Sequence, residues 1–280
     1  MGERRRWHWG IAPAVTILLT LFVAPLGTFL AISFWRVQLF KLTPAFTLEN
    51  YAAVGAEYHS NLAFTIGMAL VISLVATALA FGFAYALRFA LGRWANPMLF
   101  LVMVSMFGGY LIKIYAWKTI LGTYGLINTF LLWLGVIREP LGIFIYNPGA
   151  VAVALIHYLF PFAVLPIYAA LRNINDITLE AARDVGAHRW QVFRDVVLPQ
   201  ARPGIAAAMT FSFLIAAGDF VTPSLVGGTK TLMVGSYIHS QFVESFNWPL
   251  GAALATSTLV TSAVVLGVIR WSVSRLRPHW

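Results

Sequence analysis

The sequence contains no cysteine, which excludes disulfides, thiolate nucleophiles and Cys-ligated metal sites. Charge is scarce as well. Only 10% of the 280 residues are Asp, Glu, Lys or Arg, against roughly 25% in soluble domains. No G-x-x-x-x-G-K-[ST] occurs, so the chain cannot itself hold ATP in a P-loop. Ser, His and Asp are scattered without catalytic spacing, and no helix carries a His/acid pair spaced to hold a metal, so neither a catalytic nor a metal site is expected. There is no low-complexity tract, no convincing internal repeat and no stretch of soluble-domain composition. What fills the space is apolar: 60% hydrophobic residues and a mean hydropathy of +0.79. The chain therefore reads as one all-α, polytopic membrane domain. Its net charge of +9 suits either nucleic acid or a positive-inside membrane topology, and the positions of the basic residues separate the two.

Six apolar runs predict six spans, at approximately 11–34, 62–87, 98–120, 150–171, 205–220 and 250–269. The first follows Arg4, Arg5 and Arg6 as a signal peptide would. It is longer than an h-region and lacks an A-x-A cleavage site, so it reads as a retained span. The third is interrupted by Gly108-Gly109 and Lys113, and the fourth contains Pro161 and Pro166. A shorter apolar piece, Leu126–Val136, is too short to cross and is expected to lie at the interface or re-enter. His157, in the fourth span, reads as a packing residue.

An even number of spans puts both termini on one side. On that side lie Arg4, Arg5, Arg6, Arg88, Arg93, Arg172, Arg183, Arg189, Arg194, Arg202, Arg270, Arg275 and Arg277, which are 13 of the 19 basic residues. Arg36, Lys41, Lys113, Lys118, Arg138 and Lys230 fall on the other. This bias places both termini, and the connector at 172–203, in the cytoplasm. It also accounts for the positive charge without nucleic acid.

The 172–203 connector is a polar island in an apolar chain. Asp176 or Thr178 is placed to cap a helix running through Val185, with Ile177, Ala181 and Val185 on one face and Glu180–Arg183 as an i, i+3 pair. Gly186 then stands where a helix terminus needs a left-handed residue. A second helix, from about His188 to Val197, presents Trp190, Phe193 and Val197 as a stripe, and Pro199 disfavours helix at Leu198. A Trp/Phe stripe flanked by Arg189 and Arg194 has the composition of an interface centre. Two readings stay open at this point: the stripe docks a partner, or it packs on the inner face of the membrane domain.

Glu180-Ala181-Ala182, Gly186, Val196, Leu198 and Pro199 resemble the EAA motif of ABC importer permeases, with Val196 where that family usually has isoleucine. The resemblance implies a fold like that of type I ABC importer permeases, a transport subunit rather than an enzyme, and a coupling loop between spans 4 and 5. In such a subunit Glu180, Ala181, Ala182, Gly186, Trp190, Phe193, Arg194, Leu198 and Pro199 would engage a separate ATPase. ATP and Mg would be bound by that partner, and this chain would carry no cofactor. The implied assembly has two ATP-binding cassette subunits, a second permease subunit and a periplasmic solute-binding protein, in a bacterial inner membrane. Further stretches resemble the spermidine/putrescine branch: Phe46–Tyr51, Tyr115-Ala116-Trp117, Gly125–Asn128, Phe160-Pro161-Phe162, Leu165–Tyr168 and Gly218–Val221 with Gly227-Gly228. They imply a polyamine as solute, with amino-acid-like or phosphonate solutes as the alternatives, and an ATP-independent secondary transporter as the remoter one.

Asp219 suits a cationic solute. It lies about 15 residues into the fifth span, roughly 22 Å from the inner boundary, where a carboxylate needs a cavity or a partner. Tyr110, Tyr115 and Trp117 lie at similar depth, and aromatic faces attract ammonium groups. Lys113 is equally deep, so a structural Lys113–Asp219 ion pair is the competing expectation.

Overall fold

The computed structural model describes residues 13–38 and 41–275, apart from the side chains of residues 230 and 272–275. Arg4, Arg5, Arg6 and Arg277, the first two residues of the first expected span and the side chain of Arg275 lie outside that description.

The described chain is almost wholly helical. In order it comprises α1 (Pro13–Ile32), a hairpin of β1 (Arg36–Gln38) and β2 (Lys41–Thr43), α2 (Glu49–Glu57), α3 (His59–Phe89), α4 (Ala95–Met106) and α5 (Tyr110–Leu121). Then come α6 (Leu126–Trp133), α7 (Pro148–Arg172), α8 (Asp176–Asp184), α9 (Arg189–Gly218), α10 (Val234–Val243) and α11 (Trp248–Arg275). Helices α1, α3, α7, α9 and α11 are each long and apolar enough to cross a membrane. Among the described residues, a sixth crossing is available only as a bent pair. The helical run Gly92–Met106 meets Tyr110–Trp133 at 97°, so the span expected at 98–120 with an interruption at Gly108-Gly109 is two helices. Gly108-Gly109 makes the break: Gly109 has extended ψ of 140° and starts α5 without continuing α4.

Backbone contacts divide the chain into two units. The smaller consists of residues up to Ser60 together with Tyr237–Val260. In it α1 meets α10 through an edge-to-face pair of Phe29 and Phe242, 5.8 Å between centroids. Asn50 Nδ2 donates to both Ser33 O and Trp35 O at 2.8 Å, tying α2 to the end of α1. Arg36 and Glu49 pair across the turn between the hairpin and α2.

The larger unit, Asn61–Ser236 and Thr261 onward, contains the core. Helix α3 buries Ile66, Ala69, Ile72, Ala76, Ala80, Ala84 and Leu87, spaced by three or four residues as one helical stripe. Pro161 and Pro166 leave α7 unbroken, as prolines can in membrane helices whose neighbours satisfy the freed backbone groups. Helices α7 and α9 approach closely at Gly204. A Cβ there would sit 2.5 Å from Pro166 O and 2.7 Å from Ala170 Cβ, so a glycine is required, as where small residues let membrane helices close up.

The fifth span also departs from expectation. No helix stop occurs at Leu198-Pro199. Residues Val192–Val197 form a π-turn, and its wider winding carries the chain through Pro199 and Pro203 into the long helix. The expected connector at 172–203 is thereby shortened, since its second helix is the first two turns of α9. The same helix ends at Gly218, so Asp219 stands just past its last residue and not inside it.

Candidate functional site

Two places in the larger unit gather the residues singled out by sequence. The first is the connector between α7 and α9. Helix α8 is capped by Asn175, whose Oδ1 accepts from Ile177 N at 3.0 Å; neither Asp176 nor Thr178 serves. Asp176 is occupied elsewhere, taking Arg88 Nη2 at 2.5 Å and so pinning the connector to the end of α3. The expected Glu180–Arg183 pair does not form among the described ion pairs, and Arg183 turns instead to the edge of a cavity. Gly186 has φ +85° and open space where a Cβ would stand. Its requirement is therefore conformational and not steric.

The aromatic stripe divides. Val197 is buried, and Phe193 is half-buried against Phe81 and Tyr85 of α3 at 6.0 and 5.7 Å, edge to face. Trp190 stacks on the outer side of Phe193 at 5.2 Å and is 66% exposed. Helix α8 behaves likewise: Leu179 and half-buried Ala182 face inward, whereas Ile177, Glu180, Ala181 and Val185 are exposed. The connector thus packs one face on its own body and leaves Ile177, Val185 and Trp190 outside around Gly186. Arg194 is exposed and bonded to its neighbour, Nε to Asp195 Oδ1 at 2.8 Å. Leu198 and Pro199 are half-buried at the start of the straight part of α9. A cavity of about 530 Å³ opens beneath, lined by Tyr85, Phe89, Leu179, Arg183, Arg189 and Phe193 among others.

The second place is Asp219. Its Oδ1 accepts from the Tyr110 hydroxyl at 2.5 Å and from the backbone N–H groups of Val221 (3.0 Å) and Thr222 (3.5 Å). The last two bonds make Asp219 the N-cap of the short helix 221–227. Thr222 Oγ1 closes the group by bonding Tyr110 Oη at 2.8 Å. The other carboxylate oxygen, Oδ2, is buried and has no hydrogen-bond partner. Tyr158 of α7 packs on Tyr110 with ring centroids 4.8 Å apart, and Lys113 Nζ lies 5.7 Å from the Tyr158 ring. Lys113 Nζ is also buried without a hydrogen-bond partner. The expected Lys113–Asp219 ion pair is not formed.

Of the aromatics named with Asp219, only Tyr110 joins it. Tyr115 is 53% exposed on another face of α5, with Lys118 Nζ 6.0 Å above its ring. Trp117 packs into the core and meets His157 edge to face at 5.6 Å. Sequence reasoning missed Tyr158 and Thr222. Thr222 carried no signal of its own, although Asp219 is a residue type that starts helices. Tyr158 carried none, because its place depends on how α7 lies against α5. Asn128, which in the sequence is only the last residue of a motif, turns out to be structural. It is 1% exposed, and its side chain exchanges two bonds of 2.9 Å with the backbone of Leu141, clasping the loop after α6.

Known proteins resemble this chain over most of its length. Residues 13–278 match the family described as "Binding-protein-dependent transport system inner membrane component". The chain is 39% identical over 235 residues to the spermidine/putrescine transport system permease protein PotB of Salmonella typhimurium (strain LT2), covering 82% of this chain and 80% of that one. Identity to PotB of Escherichia coli (strain K12) is 38% over 235 residues, 82% of this chain and 84% of that one. Among solved structures, a bacterial ABC transporter involved in the import of the acidic polysaccharide alginate superposes with a TM-score of 0.74 at 18% identity, covering 98% and 97% of the two chains. At that identity the likeness is one of fold.

Proposed function

The chain belongs to the inner membrane components of binding-protein-dependent transport systems, and we propose that in this family it is a permease subunit for polyamines such as spermidine or putrescine. It is a multi-pass transport subunit of an ABC importer, with the fold of type I importer permeases. The buried, unpartnered Oδ2 of Asp219 beside two tyrosine rings is the observation that carries the solute assignment. A carboxylate in apolar surroundings is costly without a counter-charge, and an ammonium group seated against aromatic faces supplies one. The resemblance to permeases named for spermidine and putrescine supports the same reading.

The proposed assembly pairs this chain with a second permease subunit, two ATP-binding subunits that hold ATP and Mg, and a periplasmic protein that delivers the solute. Both termini and the α7–α9 connector face the cytoplasm in this reading, as the arginine distribution supports. Ile177, Val185 and Trp190, exposed around Gly186, then form the surface that seats in an ATP-binding subunit. Phe193, Val197 and the Arg88–Asp176 pair join that surface to α3 and α9. Movement of the ATPases is passed to the helices that carry Asp219, which alternates its access between the two sides.

The test is uptake of radiolabelled putrescine into vesicles containing the complete importer. Asp219→Asn is expected to lower uptake at least about tenfold, the cost of roughly 1.4 kcal/mol of lost ion pairing, with all subunits still copurifying. Unchanged uptake kinetics would remove Asp219 from the solute path.

A further inference from the structure

Asp219 Oδ2 and Lys113 Nζ are opposite charges, both buried, both without a hydrogen-bond partner, on either side of the Tyr110–Tyr158 ring pair. Leaving either uncompensated in apolar surroundings is expensive. Lys113 follows Tyr110 by three residues on α5, so the two side chains leave the same face of that helix. Tyr110 already reaches Asp219. Lys113 is longer and ends in a single point charge on a flexible stem. Its Cε now rests over Gly108, 3.1 Å from where a Cβ would stand, at the break between α4 and α5. There the carbonyl end of α4 favours a cation. The Lys113 ammonium there faces the Tyr158 ring at 5.7 Å and no carboxylate among the described ion pairs.

We propose that Lys113 is a resident counter-ion for Asp219, which sets the charge selectivity of the site. Without solute, its ammonium moves from the α4 end to Oδ2 and closes the seat. A solute ammonium displaces it, and Lys113 returns to the position over Gly108 and Tyr158. A neutral solute of the same length cannot displace it, so the seat selects for positive charge and not only for shape. This inference rests on the reading of Asp219 as a cation seat.

The experiment is equilibrium binding of radiolabelled putrescine to the purified permease–ATPase complex in lipid nanodiscs, without the solute-binding protein. Lys113→Met is expected to tighten putrescine binding about fivefold and to let unlabelled butane-1,4-diol compete, while Lys113→Arg keeps the wild-type affinity. In an Asp219→Asn background, Lys113→Met should change nothing, because the two residues act on one another. Equal affinity in Lys113→Met and wild type, or the same fivefold effect with Asp219 replaced, would overturn the counter-ion. If Asp219→Asn itself binds putrescine like wild type, the cation seat fails and the counter-ion with it. Should Lys113→Met not assemble, dicyclohexylcarbodiimide on the wild-type complex gives the answer by mass spectrometry. A Lys113–Asp219 amide that putrescine suppresses supports the proposal, and its absence overturns it.

Discussion

Gly186 is the one residue of the connector whose identity follows from backbone geometry alone. Its φ is +85°, and a Cβ added there would have no heavy atom within 4 Å. An L-residue at that angle costs roughly 1–2 kcal/mol, and a β-branched one is the least tolerant. Gly186→Val is therefore expected to relax the sharp turn between α8 and α9 and to swing Ile177, Val185 and Trp190 out of register. The chain should still insert and copurify with its permease partner, because none of the core involves this residue. Uptake should fall while ATP hydrolysis continues. A variant with normal uptake per ATP hydrolysed would show that the turn is not needed for coupling. This glycine was legible in the sequence because the spacing of a helix, a glycine and a second helix is local. Asp219 was legible in the sequence only as a carboxylate deep in an apolar run. That its two oxygens divide, one capping helix 221–227 and one unpartnered, depends on α5 and α7 meeting beside it, which no local pattern encodes.

At the scale of elements, the connector has an inward and an outward face, and Trp190 and Phe193 separate them although they are stacked on one another. Phe193 locks into Phe81 and Tyr85, so Phe193→Ala is expected to cost about 2 kcal/mol, below the roughly 3–5 kcal/mol of a fully buried aromatic truncation because the ring is only half-buried. Trp190→Ala removes a mostly exposed ring and should change stability by less than about 0.5 kcal/mol. Copurification of the ATP-binding subunit should show the reverse order, with the larger loss for Trp190→Ala. Thermal unfolding in detergent and subunit stoichiometry measured on the same preparations decide it. Equal recovery of the ATPase with Trp190→Ala would leave Ile177 and Val185 as the docking residues. Sequence periodicity puts Trp190, Phe193 and Val197 on one stripe by assuming a regular α-helix. Phe193 and Val197 lie within the π-turn and face inward, while Trp190 precedes it and stacks outside Phe193. The same turn explains why Pro199 does not end the helix, as propensity alone would require.

For the whole molecule, hydropathy locates the spans whose apolar runs are uninterrupted, as in α3, α7 and α11. The third span is interrupted by two glycines and a lysine that the sequence shows, but the 97° bend there cannot be inferred from hydropathy. Whether the bent pair crosses decides the orientation of everything after it. The Arg88–Asp176 pair holds the end of α3 beside the start of α8, so both are expected on one side of the membrane. Helix α7 alone crosses between α6 and α8, and the chain can return to that side only if α4–α6 crosses as well. The absence of cysteine makes this directly measurable, because single introduced cysteines report their side without any background label. Trp94, near the start of the bent pair, and Tyr124, just past α5, are 54% and 91% exposed. Trp94→Cys should react with a membrane-impermeant maleimide only in inverted vesicles, and Tyr124→Cys only in intact spheroplasts. If both react from one side, the pair does not cross and the six-crossing topology gives way to five. Five crossings would put the two termini on opposite sides, contrary to an arginine distribution in which both ends of the chain are basic. The bent pair is thus the element on which the orientation of the whole chain turns.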